Sequence, residues 1–149
     1  MKRLVTVLFF GVMILLAACS EAEPEELSTA EFSLTATDLA FSTNQLEVVA
    51  GQSVKIALTN EGALEHDFSI MEMPHVGEIH AESNEMGGET MGHDMSSMEE
   101  QPEIHMAAAA GGSSTIEFTP STAGEYEFYC TVAGHKEAGM AGMLVVKAP

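Results

Sequence analysis

Basic residues are almost missing from this chain. Lysine and arginine together number five among 149 residues, against 23 aspartates and glutamates, for a formal net charge of −18. So acidic a surface repels phosphate backbones and anionic membranes, which excludes nucleic acid as a partner. It favours cations and basic proteins, which it attracts at long range. Cysteine is equally scarce, with only Cys19 and Cys130. The chain also lacks Rossmann and P-loop glycine motifs and a nucleophile elbow, which removes the common signatures of dinucleotide, nucleotide and acyl-transfer chemistry. It has no convincing helical period and no long-period repeat.

The longest apolar run lies at the start. Lys2 and Arg3 precede Leu4–Leu16, and Leu16-Ala17-Ala18-Cys19 follows. The run is shorter than the roughly 18 to 20 residues that a spanning helix needs. A basic n-region, an apolar core and a small-residue end make a secretory signal. The Leu-Ala-Ala-Cys end resembles the lipobox of bacterial lipoproteins, in which the cysteine is lipidated and becomes the first mature residue. We therefore expect a signal peptide over 1–18 and a lipidated, acidic tether over 19–30, with one domain over 31–149. In the mature chain only Lys55, Lys136 and Lys147 oppose the 23 acidic residues, for a formal charge of −20. With Cys19 carrying lipid, Cys130 has no disulfide partner in an oxidising compartment. That suggests a reactive or metal-bound thiolate rather than an inert core cysteine.

From Glu31 the chain reads as short strands and turns. Phe32, Leu34 and Ala36 alternate with polar residues, and Leu39 and Phe41 continue past Asp38, which predicts a strand with a kink or bulge. Leu46 and Val48 alternate, then Val54, Ile56 and Leu58 beyond the Ala50-Gly51-Gln52 turn. Asn60-Glu61-Gly62 is another turn, and His66 opens the short strand His66–Ile70. Ile116 and Phe118 alternate, as do Tyr126, Phe128 and Cys130, and a last strand runs through Met143–Val146. This pattern predicts an antiparallel β-sandwich or barrel.

Met71–Met106 breaks the pattern. It carries seven of the eleven methionines and four of the six histidines, mixed with acids, glycine and serine. We expect it to be a long irregular insertion, since connections of this length are uncommon inside compact domains. Its densest part holds Met86, Met91, His93, Met95 and Met98, a soft set suited to additional Cu(I). The alternative is a solvated insertion with no metal affinity.

The chemistry concentrates in Tyr126–Val146. Cys130, His135 and Met140 place a thiolate, an imidazole and a thioether at five-residue intervals, in a loop rich in glycine and alanine. A soft thiolate, imidazoles and a long axial thioether select copper in an electron-transfer site. Cys130 closes one strand and Met140 precedes the next, so the loop carries His135 back over the same end. The missing ligand must come from another strand at that end, and His66 is the best candidate.

These residues resemble a known family, the cupredoxins or type 1 blue copper proteins. The likeness rests on GQSVKIALTNEG, EHDFSI, STAGEYEFYC and GHKEAGMAGMLVV, covering about 31–70 and 107–147. The Cys-x4-His-x4-Met spacing is most similar to auracyanin, rusticyanin and sulfocyanin. The resemblance implies an all-β, Greek-key cupredoxin β-sandwich, here interrupted by the irregular Met/His-rich insertion at 71–106. It implies one type 1 copper held by His66, Cys130 and His135, with Met140 axial; Met143 is the rival axial residue, assigned instead to core packing. Many members carry asparagine after the first histidine, linked to the residue after the cysteine. This chain has Asp67 there, opposite Thr131, where a carboxylate accepts a hydrogen bond and stabilises Cu(II). Gly134, Ala138, Gly139, Ala141 and Gly142 are small and leave the outer edge of His135 near solvent as an electron port.

The expected protein is not an enzyme. It is a lipid-anchored, extracytoplasmic electron carrier, periplasmic or at the outer cell surface. Its expected partners are redox proteins with a basic face, such as a c-type cytochrome or a membrane oxidoreductase. The alternative is copper binding, delivery or resistance through the Met/His-rich segment. Catalytic copper proteins need further sites, commonly supplied by His-x-His pairs, and this chain has none.

Overall fold

In a computed structural model the structure describes residues 27–84 and 100–149. Among them are ten strands and no helix: β1 Ala30–Thr37, β2 Ala40–Phe41, β3 Gln45–Val49, β4 Val54–Asn60, β5 His66–Ile70, β6 His75–Asn84, β7 Ile104–Ala108, β8 Ser113–Pro120, β9 Gly124–Tyr129 and β10 Ala141–Lys147. One sheet has the order β2-β1-β4-β8-β6 and the other β3-β10-β9-β5-β7. The pairs β1/β4 and β3/β10 are parallel and the rest antiparallel. The crossing order of the strands is that of a Greek-key β-sandwich.

The alternating residues meet between the sheets. Leu34, Ala36, Val54, Ile56, Leu58, Ile116 and Phe118 come from one layer. Leu46, Val48, Phe68, Ile70, Ile104, Met106, Phe128, Leu144 and Val146 come from the other. Phe128 is central, with its ring stacked on Phe68 at 5.0 Å and tilted against Phe41 at 5.7 Å. Gly142 makes room for it: a Cβ there would lie 2.2 Å from Phe128 Cζ and 2.7 Å from the Asn44 carbonyl oxygen.

Several expectations change. The kink after Thr37 is a complete hairpin, with Ala36 and Thr37 paired to Phe41 and Ala40 across the Asp38-Leu39 turn. The segment 71–106 is not irregular throughout. β6 occupies 75–84 and pairs with β8 at the edge of its sheet, and β7 begins at Ile104. β6 escapes a reading by period because its residues are mostly exposed and its register shifts between Val76 and His80, where Gly77 has a φ of 76°. Met143 is not core packing: Leu144 and Val146 face inward, which turns Met143 to the half-exposed outer face. No helix among the described residues is long and apolar enough to cross a membrane.

Candidate metal centre

His66 reaches its place through Asn60. The Asn60 side chain donates from Nδ2 to the Leu64 carbonyl (2.7 Å) and the Ala108 carbonyl (2.8 Å), and its Oδ1 accepts from the Gly62 N–H (2.8 Å). Asn60 is buried, and these three bonds fold the 60–65 turn against β7. Gly62 then lies on the His66 ring, where a Cβ would stand 2.6 Å from Nε2. Glycine is needed here for close approach rather than for its backbone angles. Neither Asn60 nor Gly62 stands out in the sequence beyond marking a turn.

The second element is the loop from Cys130 to Met140. The Cys130 N–H donates to the Met140 carbonyl (3.1 Å), which closes the loop between β9 and β10. Inside it, His135 N–H donates to the Val132 carbonyl (3.0 Å) and Met140 N–H to the His135 carbonyl (2.9 Å). Gly134 and Gly139 turn the chain with φ values of 85° and 104°, conformations that residues with a Cβ rarely adopt.

The result is a compact donor cluster. Ligating atoms of His66, Cys130 and His135 all lie within 4.8 Å of one another. Cys130 Sγ is 3.8 Å from His66 Nδ1 and 3.5 Å from His135 Nδ1. Three donors about 2.1 Å from one central ion in a plane stand about 3.6 Å apart, so the spacing suits a single ion. Met140 is fully buried in the same loop. His66 and Cys130 are wholly inaccessible, whereas His135 keeps 6% exposure. This His/Cys/His/Met set fits one type 1 copper.

Burial sets the protonation of the cluster. Burial pushes the Cys130 thiol up to about 11, and the negative Asp67 adds to the effect. Burial, followed by repulsion from His135, holds the His66 imidazole below its usual value, against the opposing pull of Asp38 and Asp67. Without metal the site therefore keeps a protonated thiol and a neutral His66, and metal binding must expel the thiol proton.

Asp67 lies beside the cluster on the opposite face of β5. Its carboxylate accepts the Thr131 N–H at both oxygens (2.9 and 3.1 Å) and the Thr131 hydroxyl at Oδ2 (2.7 Å). The Cys130 thiol points to the same Oδ2 at 3.8 Å. Asp67 and Thr131 thus meet where the sequence sets them opposite each other. Ser69 and His105, which sequence reasoning missed, extend this network. Cys19 and the cluster Met86, Met91, His93, Met95 and Met98 lie outside the described residues, as do the signal segment and most of the tether.

Gly134, Ala138 and Gly139 are exposed around His135, but so are the charged Lys136 and Glu137. Lys136 lies 3.8 Å above the Tyr129 ring centroid and pairs with Glu127 at 2.7 Å. The surface beside His135 is therefore mixed, with small and charged residues side by side. Gly142 serves packing against Phe128 and not that surface.

A family model described as copper binding proteins, plastocyanin/azurin family, matches residues 28–147. Two relatives are both described as copper-resistant cuproprotein CopI. The one from Rubrivivax gelatinosus is 30% identical over 109 residues, covering 73% of this chain and 61% of the relative. The one from Pseudomonas aeruginosa is 29% identical over 130 residues, covering 74% and 72%. This chain thus spans under two thirds of the length of the first. Among solved structures, reduced auracyanin from Roseiflexus castenholzii aligns with a TM-score of 0.57 and 21% identity, over 78% of this chain and 96% of that one. Auracyanin A, titled a "blue" copper protein from Chloroflexus aurantiacus, aligns with a TM-score of 0.56 and 24% identity, over 80% and 99%. These two alignments speak for the fold.

Proposed function

This chain belongs to the plastocyanin/azurin family of copper-binding proteins, and on that premise we propose that it carries single electrons between redox partners outside the cytoplasm. It is not itself an enzyme. The observation that supports this reading best is a buried donor set of one thiol, two imidazoles and a thioether with a single solvent-facing edge, at His135.

The roles follow from the geometry. Cys130, His66, His135 and Met140 would hold the copper. Copper bound there supplies a one-electron Cu(II)/Cu(I) couple. The hydrogen bonds that close the 130–140 loop fix Cys130, His135 and Met140 relative to one another, which would limit rearrangement on electron transfer. Burial excludes water and additional ligands. The exposed edge of His135 is the electron port, and the acidic surface draws in a basic redox protein such as a c-type cytochrome. Lipid on Cys19 anchors the domain to a membrane by way of the 19–30 tether.

A copper-loaded sample tests this reading. An intense blue band, with electron exchange to a basic c-type cytochrome that slows as salt rises, supports electron carriage. A colourless protein that hands Cu(I) to a chaperone refutes it.

The second reading is copper handling or resistance. It is favoured by the description of both relatives as copper-resistant cuproproteins and by the Met86–Met98 cluster. On that reading, deleting Met86–Met98 removes a second equivalent of Cu(I) and leaves the blue chromophore intact.

A further inference from the structure

The outer face of β5 carries a hydrogen-bonded chain leading away from the cluster. Ser69 Oγ lies 2.8 Å from Asp67 Oδ1 and 2.9 Å from His105 Nδ1. Ser69 and Asp67 are fully buried, whereas His105, directly opposite Ser69 on β7, is half-buried. The chain therefore begins at Asp67 Oδ2, beside the Cys130 sulfur, and ends at an imidazole within reach of solvent.

Donor counting fixes its direction. A hydroxyl has one proton to give, and an ionised carboxylate gives none. Asp67 already accepts from the Thr131 N–H and hydroxyl, so Ser69 donates to Asp67 as well. Ser69 Oγ must then accept from His105, which puts a proton on His105 Nδ1 and leaves Nε2 free to take one from solvent.

We propose that His105 is a positioning residue for the copper couple: it acts through Ser69 and Asp67 to link uptake of a proton at its Nε2 to uptake of an electron at the metal. This rests on the copper reading above. An external redox protein supplies the electron, which reduces Cu(II) to Cu(I), and solvent supplies the proton, which forms the His105 imidazolium. Oxidation returns both. The imidazolium strengthens the Nδ1–H bond to Ser69, which polarises the Ser69 hydroxyl toward Asp67 and draws carboxylate charge away from Cys130. Less negative charge at the sulfur favours Cu(I). Linkage requires the reverse too, so reduction raises the proton affinity of His105.

The charged groups around His105 are few in kind. On β5 it meets Ser69, whose hydroxyl donates to Asp67. On β9, Tyr129 pairs with Ser69 and lies under Lys136, itself paired with Glu127. On its own side of the chain Glu103 accepts the Met73 N–H. The strands β4, β6 and β8 pack against β7 from the inner side, where Ile104, Met106 and Ala108 point. Their charged groups are Lys55, His75, Glu78, His80, Glu82 and Glu117. Between about pH 5.5 and 8, imidazole is the side chain whose ordinary titration falls in range. His75 and His80 on β6 are imidazoles as well, and comparing wild type with His105→Gln separates the His105 contribution from theirs.

The experiment is a pH series of the reduction potential of the full copper-loaded chain, in wild type, His105→Gln and Ser69→Ala, with the visible band recorded on each sample. The wild-type potential is expected to fall as pH rises through this window. The slope disappears in His105→Gln and drops below half in Ser69→Ala, with the blue band intact in all three. An intact band with equal slopes in wild type and His105→Gln overturns the link and leaves the copper reading standing. Absence of the band from wild type overturns the copper reading and the link with it.

Discussion

Asp67 grips Thr131 through two groups at once, accepting its backbone N–H at both carboxylate oxygens and its hydroxyl at 2.7 Å. These bonds tie β5, which begins at His66, to the residue that follows Cys130. They place a negative charge 3.8 Å from the Cys130 sulfur. Negative charge there stabilises the more positive metal state.

Asp67→Asn should therefore raise the reduction potential. The expected shift is on the order of 120–180 mV, by Coulomb's law over roughly 4–6 Å at an effective dielectric of about 20. Voltammetry on copper-loaded wild type and variant measures it. An unchanged or lowered potential contradicts this role for the carboxylate.

Gly62→Ala places a methyl group against the His66 ring, 2.6 Å from Nε2. The backbone at Gly62 has no positive φ, so the strain falls on the ring rather than on the turn. Overpacking of this kind costs about 1–3 kcal/mol. Copper titration should show affinity weakened by about tenfold or more, equivalent to about 1.4 kcal/mol. Wild-type affinity in Gly62→Ala shows that His66 is not held by this contact.

Asn60→Ala removes three hydrogen bonds and leaves the Ala108 carbonyl without that donor. At about 1 kcal/mol per bond, with more where a buried group loses its partner, the loss is about 2–4 kcal/mol. Urea unfolding of the apoprotein should show a lower midpoint with little change in slope. A loss under about 0.5 kcal/mol, typical of an ordinary surface change, is the contrary result.

The raised Cys130 thiol makes apoprotein stability depend on pH. A group that holds its proton more tightly when folded contributes stability below its unfolded value, and that contribution fades as pH rises through its folded value. With an ordinary value of 9.0 and a folded value of about 11, the apoprotein should lose stability across that interval. Thermal melts at stepped pH measure it, and Cys130→Ala should remove this component. A wild-type curve that matches Cys130→Ala throughout the interval excludes the effect.

Much of the sandwich is legible in the sequence because its inner faces alternate with a period of two. Leu34 with Ala36, Val54 with Ile56 and Leu58, and Leu144 with Val146 mark their strands directly. What local period cannot give is pairing across distance, so the parallel matches of β1 with β4 and β3 with β10 emerge only in three dimensions. β6 is illegible for a different reason, since an exposed edge strand buries too little to leave an apolar pattern. Met143 shows the limit of alternation: it marks a strand without saying which face is inward. At the site, residue chemistry and strand ends suffice to suggest His66 beside Cys130 and His135. Ser69 and His105 carry no such signal, because their significance lies in a contact between strands 36 residues apart.

The central claim is that Cys130 is the thiolate of a single type 1 copper. Titrating the apoprotein with Cu(II), with the visible spectrum recorded at each addition, tests it most directly. The expected result is an intense blue band that saturates at one equivalent and is absent from Cys130→Ser. A colourless copper complex, or a blue band that survives in Cys130→Ser, contradicts it.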